Sequence, residues 1–315
     1  MTTILLFAGS LALLLVAAHV FTGAAERVGL ALGLSPFVVG VMIIAVGTSL
    51  PELVASLLSV KAGTSEIVAG NVLGANASNL LLVLGAISAV ARTPRILLGE
   101  QYIFIDLHFM LGGMLLLGFM MLDGTVSRLD GALLLAAYLV FVVYLVRDGR
   151  TASADAEADA SSRGASRSLA RDGVILLVAG IGIYAGGEFT VGALESLATA
   201  LAISPAVASI TILSLGTTLP ELVVSLTAAR RGQAALAVGN ILGSCVFNTL
   251  AVAGAAGVAG GVLVPAELRA FALPFVAAAT LLFYLLTQDK RISRWEGMLL
   301  LVLFAFFIAT LVDRA

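Results

Sequence analysis

Residues 47–53 read GTSLPEL, and 169 positions later residues 216–222 read GTTLPEL. The same offset relates GNVLG at 70–74 to GNILG at 239–243, Ser35-Pro36 to Ser204-Pro205, and Asn79 to Asn248. Without a gap, roughly 23 of the 52 positions in 35–86 match their partners in 204–255, far above chance. Each copy sets a glutamate beside a proline inside an apolar segment. A carboxylate is costly there, so the default reading is an ion site to which each half of the chain contributes once.

The apolar setting is chain-wide. Of the 315 residues, 60% are hydrophobic and 11% charged, with a mean hydropathy of +1.12. A soluble domain of this size cannot bury that much apolar surface, whereas a multi-pass membrane protein need not. Ten apolar segments are long enough to cross a bilayer of about 30 Å. They lie near 3–31, 35–60, 65–91, 102–122, 129–146, 172–200, 204–229, 233–263, 268–287 and 295–312. The first has no basic segment before it and reads as a span rather than a cleaved leader. The expected fold is therefore an all-α membrane protein of ten transmembrane helices, arranged as two five-helix repeats over 1–146 and 172–315. The segment between them, 147–171, is charged and rich in Ala and Ser, and reads as a flexible linker.

Five spans per repeat force the second copy to enter the membrane from the opposite side, so the repeats are inverted. With both termini placed outside, 13 of the 17 Lys and Arg residues fall on the inner side, a positive-inside bias that also makes the linker cytoplasmic. No basic stripe points to nucleic acid, and nothing implies a protein partner. The single cysteine, Cys245, excludes an internal disulfide.

Pro51 lacks the N–H that would bond the Gly47 carbonyl, and Pro220 the one that would bond Gly216. Both glycines loosen the same turn. The second span of each repeat should break in mid-membrane and free the carbonyls of 45–48 and 214–217, which survive there only around a cavity or an ion. Glu52 shares a helical face with Ser49 and Ser56, and Glu221 with Thr218 and Ser225. Asn71, Ala75 and Asn79 line one stripe of the third span, as Asn240, Ser244 and Asn248 do in the eighth. Gly70, Gly74, Gly239 and Gly243 form faces for close helix approach. Carboxylates, hydroxyls and carbonyls without thiolate or imidazole suit hard cations, Ca²⁺ or Na⁺.

This doubled pattern resembles the two alpha-repeats of the calcium/cation antiporter superfamily, in its prokaryotic Na⁺/Ca²⁺ exchanger branch. The family pattern G-T-S-x-P-E, then G-N-x-x-G-S-N-x-x-N/D, is matched by 47–52 with 70–79 and by 216–221 with 239–248. The resemblance implies four central ion sites among the second, third, seventh and eighth spans. It makes Glu52 and Glu221 the main Ca²⁺ ligands, with the carbonyls of Thr48 and Thr217. It gives Ser49, Thr218 and Ser244, with the carbonyls of Ala45 and Ser214, to Na⁺, and sets Asn79 and Asn248 along the centre. It implies transported Ca²⁺ and Na⁺ with no cofactor, in the inner cell membrane. Two departures stand out: Ala75 replaces an expected serine, and Cys245 the asparagine after Ser244.

Occupancy of two carboxylates by one Ca²⁺ or by two or three Na⁺ implies antiport by alternating access, with spans one and six moving across the core. A Ca²⁺/H⁺ antiporter is the alternative. A channel would want charge rings from several subunits. An intramembrane enzyme lacks a metalloprotease or serine-hydrolase motif. His19 and Glu188 occupy equivalent positions in spans one and six and are candidates for a gate, a proton path or a bundle-internal hydrogen bond.

Overall fold

The computed structural model describes residues 2–34, 36–90, 95–97, 107–154, 169–200 and 214–314. Helices are α1 (Thr2–Ala31), α2 (Phe37–Thr48), α3 (Leu50–Ala62), α4 (Glu66–Val90), α5 (Leu107–Met121), α6 (Arg128–Ala154), α7 (Leu169–Ala200), α8 (Ser214–Thr217), α9 (Leu219–Arg230), α10 (Ala234–Gly260), α11 (Leu268–Leu286) and α12 (Arg294–Arg314). Seven are long and apolar enough to cross a membrane, and the bent pair α2–α3 makes eight. Of the other two expected spans, one falls on α5, a 15-residue apolar helix, and one on α9. Their expected first parts, 102–106 and 204–213, lie outside the described residues.

The expected linker boundaries need correction. Helix α6 continues to Ala154 and α7 starts at Leu169. The connecting segment narrows to 155–168, outside the described residues. The extension, RDGRTASA, includes Gly149, Thr151 and Ser153, so it is carried by propagation from the long span that nucleated the helix rather than by its own propensity.

Helices α4 and α10 form the centre: 83% and 89% of their spanning residues are buried, against 22–35% for the other five long spans. Large apolar side chains on the outer helices stay exposed, among them Phe119, Leu177 and Val302. Water would not tolerate so many, and lipid does. Helix α2 packs on α10 and α8 on α4, while α4 also meets α12 and α10 meets α6. The contact of α2 with α10 is backbone-close. A Cβ on Gly40 would lie 2.4 Å from the Leu236 carbonyl, and one on Gly239 would lie 2.4 Å from the Phe37 carbonyl. Only glycine permits that approach.

Two short antiparallel ladders tie loops of the first half to loops of the second. β1 (Arg95–Leu97) pairs with β4 (Arg291–Ser293), and β2 (Thr125–Val126) with β3 (Val262–Leu263). Helices α4 and α10 each contain a widened, π-helical stretch, at Ser78–Val83 and at Phe247–Val252, again 169 positions apart.

Candidate ion-binding site

Ser49 separates α2 from α3. Its backbone (φ −92°, ψ 7°) leaves the helical region, and the two axes diverge by 41°. Thr218 interrupts α8–α9 at the equivalent point. Pro51 and Pro220 fall in the first turn of the helices that follow, where a missing N–H costs nothing. Each break thus opens a fresh helix N-terminus inside the fold, with Glu52 or Glu221 in its first turn.

One expectation is corrected here. The Ala45 carbonyl is not freed: it accepts the Ser49 N–H at 3.0 Å and lies 3.3 Å from Thr48 Oγ1. The chain keeps one more helical bond before it turns, because Ser49, unlike Pro51, still has an N–H to give. Gly47 has a packing role beyond loosening the turn, since a Cβ there would stand 2.7 Å from Phe21 Cζ of α1. Gly216 is buried at the second break.

The two glutamates are 1% and 0% exposed. Ser49 Oγ donates to Glu221 Oε1 at 2.8 Å, and the Ser49 and Ser244 hydroxyl oxygens are 3.0 Å apart. Thr48 Oγ1 lies 3.3 Å from Asn240 Oδ1, and Asn240 Nδ2 donates to Ser225 Oγ at 2.9 Å. The counterpart chain runs from Thr217 Oγ1 to Asn71 Oδ1 at 3.4 Å and from Asn71 Nδ2 to Ser56 Oγ at 3.4 Å. In both chains the threonine of one half meets the asparagine of the other. Thr218, Asn79 and Asn248 are buried in the same core. Asn79 and Asn248 sit in the first turn of the two widened stretches, where π-type turns often mark functional positions. Ser214 begins α8.

Polar satisfaction is incomplete at one place above all. Both oxygens of Glu52, Oε2 of Glu221 and the amide atoms of Asn79 and Asn248 are buried without a hydrogen-bond partner. No lysine, arginine or histidine is buried among the described residues. Leaving such groups unpaired costs on the order of 1–3 kcal/mol each, more for charges, so the cluster fits a small cation better than it fits nothing.

Sequence reasoning missed Asn76, whose Nδ2 donates to Thr249 Oγ1 at 2.7 Å across the central helices. The counterparts of these two are Cys245 and Leu80, so the repeat itself hid the pair. The expected gate or proton path at His19 and Glu188 gains no buried polar partner, since both side chains are exposed among the described residues.

The sodium/calcium exchanger protein family matches residues 2–147 and 173–312. The chain belongs to the sodium/calcium exchanger family. It is 30% identical over 291 residues to the uncharacterized membrane protein MJ0091 of Methanocaldococcus jannaschii, covering 92% of each chain. It is 31% identical over 307 residues to the putative antiporter CaxA of Alkalimonas amylolytica, covering 93% of each. Its fold is similar to that of the sodium-calcium exchanger NCX_Mj, with a TM-score of 0.84 at 27% identity and 98% of each chain covered. As a member of the sodium/calcium exchanger family this is a helical membrane transporter and not an enzyme.

Proposed function

We propose that the protein exchanges Ca²⁺ for Na⁺ across the cell membrane by alternating access, at one site built from both halves. The observation that carries this reading is the pair of buried carboxylates, one beside each helix break, with three oxygens unpartnered and no buried basic residue to neutralise them. Glu52 and Glu221 ligate Ca²⁺ with the carbonyls of Thr48 and Thr217. Ser49, Thr218 and Ser244, with carbonyls of Ala45 and Ser214, hold Na⁺, and Asn79 and Asn248 line the centre. The Ala45 oxygen keeps a second lone pair after accepting the Ser49 N–H.

In this reading 1–146 and 172–315 are inverted five-helix repeats. The crossed ladders support it: a two-fold exchange of halves swaps β1 for β3 and β2 for β4, and so turns one ladder into the other. The matching π-helical stretches and the two Thr–Asn chains support it as well. Inversion supplies two near-equivalent conformations, one open to each face. An empty pair of carboxylates resists closure in a low-dielectric core, so ions cross only in exchange. Both termini lie outside and the linker in the cytoplasm, with Ca²⁺ and Na⁺ as the transported partners.

The test is radioactive Ca²⁺ uptake into proteoliposomes loaded with Na⁺ and diluted into Na⁺-free medium, beside a pH gradient alone. Uptake driven only by the Na⁺ gradient is expected. Uptake driven by the proton gradient instead transfers the assignment to Ca²⁺/H⁺ exchange.

Two further outcomes follow from the breaks and the site. Pro51→Ala restores a backbone donor toward Gly47 and favours a straighter helix. Ca²⁺ flux should fall about tenfold while the protein still elutes as a folded species, and unchanged kinetics would detach the break from the site. Ala75 is fully buried and stands where Ser244 stands in the other half. Ala75→Ser should tighten Na⁺ by about 1 kcal/mol, one polar contact to a charged group, and barely move Ca²⁺. The Na⁺ concentration that half-saturates exchange reads this directly; an unaltered value means that Ala75 does not face Na⁺.

A further inference from the structure

Helices α1 and α7 pack closely along their length. A Cβ on Gly186 would lie 2.8 Å from the Leu14 nitrogen, and one on Gly182 3.0 Å from Ala17 Cβ, so the two backbones are in near contact. Arg27 Nε of α1 bonds Asp172 Oδ1 of α7 at 2.8 Å, and Asp172 is buried. Among the contacts of this pair with the rest of the molecule, two stand out. Phe21 of α1, 2% exposed, packs its ring against Gly47 beside the first helix break. Arg231, just past the end of α9, donates from Nη2 to the His19 carbonyl of α1 at 3.0 Å. Gly23, one turn on, lies beside both guanidiniums: a Cβ there would lie 3.4 Å from Arg231 Nη1 and 3.4 Å from Arg27 Nη1.

In sequence, neither set of contact residues is repeated in the duplicate. The positions 169 residues away are Thr190 for Phe21, Glu188 for His19, Gly192 for Gly23 and Ala62 for Arg231. Around Gly192 a Cβ would meet nothing within 4 Å among the described residues. The residues that make these two contacts are thus not duplicated in sequence, unlike those of the ion site.

We propose that Phe21 and Arg231 are positioning residues that hold α1–α7 closed over the site on the face carrying Arg231, and thereby set which face loads Ca²⁺ more readily. This rests on the alternating-access reading above. The bond from Arg231 and the seat of Phe21 on Gly47 both cross the boundary between the α1–α7 body and the central helices. Both must break when that face opens, whereas the Arg27–Asp172 pair lies within the body and need not. An ion meeting a face that is open only a fraction of the time shows an affinity reduced by that fraction. Weakening the closure raises the fraction on one face and lowers it on the other.

The experiment compares wild type with Arg231→Ala and Arg231→Lys in oriented proteoliposomes, recording the half-saturating Ca²⁺ concentration from each face. Arg231→Ala should lower it about three- to tenfold on the face carrying Arg231 and leave the opposite face equal or slightly raised. Arg231→Lys should recover part of the wild-type value. A merely structural role would weaken both faces alike. Equal loss on both faces, or no sided change in variants that still exchange, overturns the closure. Wild-type vesicles that exchange Ca²⁺ for neither Na⁺ nor H⁺ overturn the transport reading and the closure with it.

Discussion

Glu52→Gln and Glu221→Gln should each abolish Ca²⁺ transport. Glutamine keeps the volume and one acceptor but removes a negative charge, leaving a bound Ca²⁺ with a net positive charge in a core where, among the described residues, the other glutamate is the one remaining buried acid not paired with an arginine. An uncompensated charge there costs several kcal/mol, on the order of 3–5. At about 1.4 kcal/mol per tenfold, affinity falls by about 10² to nearly 10⁴. The two variants should differ in what remains. Glu221 already shares Oε1 with Ser49, whereas both oxygens of Glu52 are uncommitted, so Glu52→Gln forfeits more free ligand. Radioactive Ca²⁺ flux and Ca²⁺-dependent thermal stabilisation of the purified variants measure this. Wild-type flux in either variant would refute the paired-carboxylate site.

Gly243→Ala is expected to be among the most damaging single-methyl changes at the described glycines. The added carbon would stand 2.4 Å from the Val41 carbonyl and 2.6 Å from Ala45 Cβ. The obstruction is mostly backbone, so α2 must lift off α10 as a unit. Overpacking of this kind costs about 1–3 kcal/mol, occasionally more. It would also stretch the Thr48–Asn240 contact, which spans the same interface. A melting temperature well below wild type and a matching loss of flux are expected. Gly112→Ala is the control: a Cβ on Gly112 meets nothing within 4 Å, and exchanging Gly for Ala within a helix is favourable by up to about 1 kcal/mol. If the two variants melt alike, the close approach of α2 and α10 is not what holds them.

Much of this was legible before any coordinates. The prolines and glycines of the repeated motif locate the helix breaks, because both residue types act on the backbone within a few positions of themselves. Hydropathy locates the long spans for the same local reason. What local chemistry does not encode is who meets whom. Ser49 bonding Glu221 rather than Glu52, and Thr48 reaching Asn240 rather than Asn71, depend on how two helices from different halves cross. The π-helical stretch around Asn79 has no signature in residue type, since it answers to packing on neighbours. The Asn76–Thr249 bond escaped because the duplication directs attention to positions that match, and these two do not. The end of α6 is hidden for a compositional reason: RDGRTASA reads as linker in isolation and is helix where it extends one already formed.

The Ser49–Glu221 bond joins residues 172 positions apart, and this separation bears on the order of events at the ribosome. When the first half has emerged, Glu52 is already in the chain but the helices that will enclose it, α9 and α10, are not yet made. Until then its carboxylate must stay near the lipid surface or keep its water. Insertion of the first half is therefore provisional, and only arrival of residues 219–260 lets α2 and α3 settle at depth. Two separately synthesised halves, cut within 155–168, would each be inert and would regain transport only when made together.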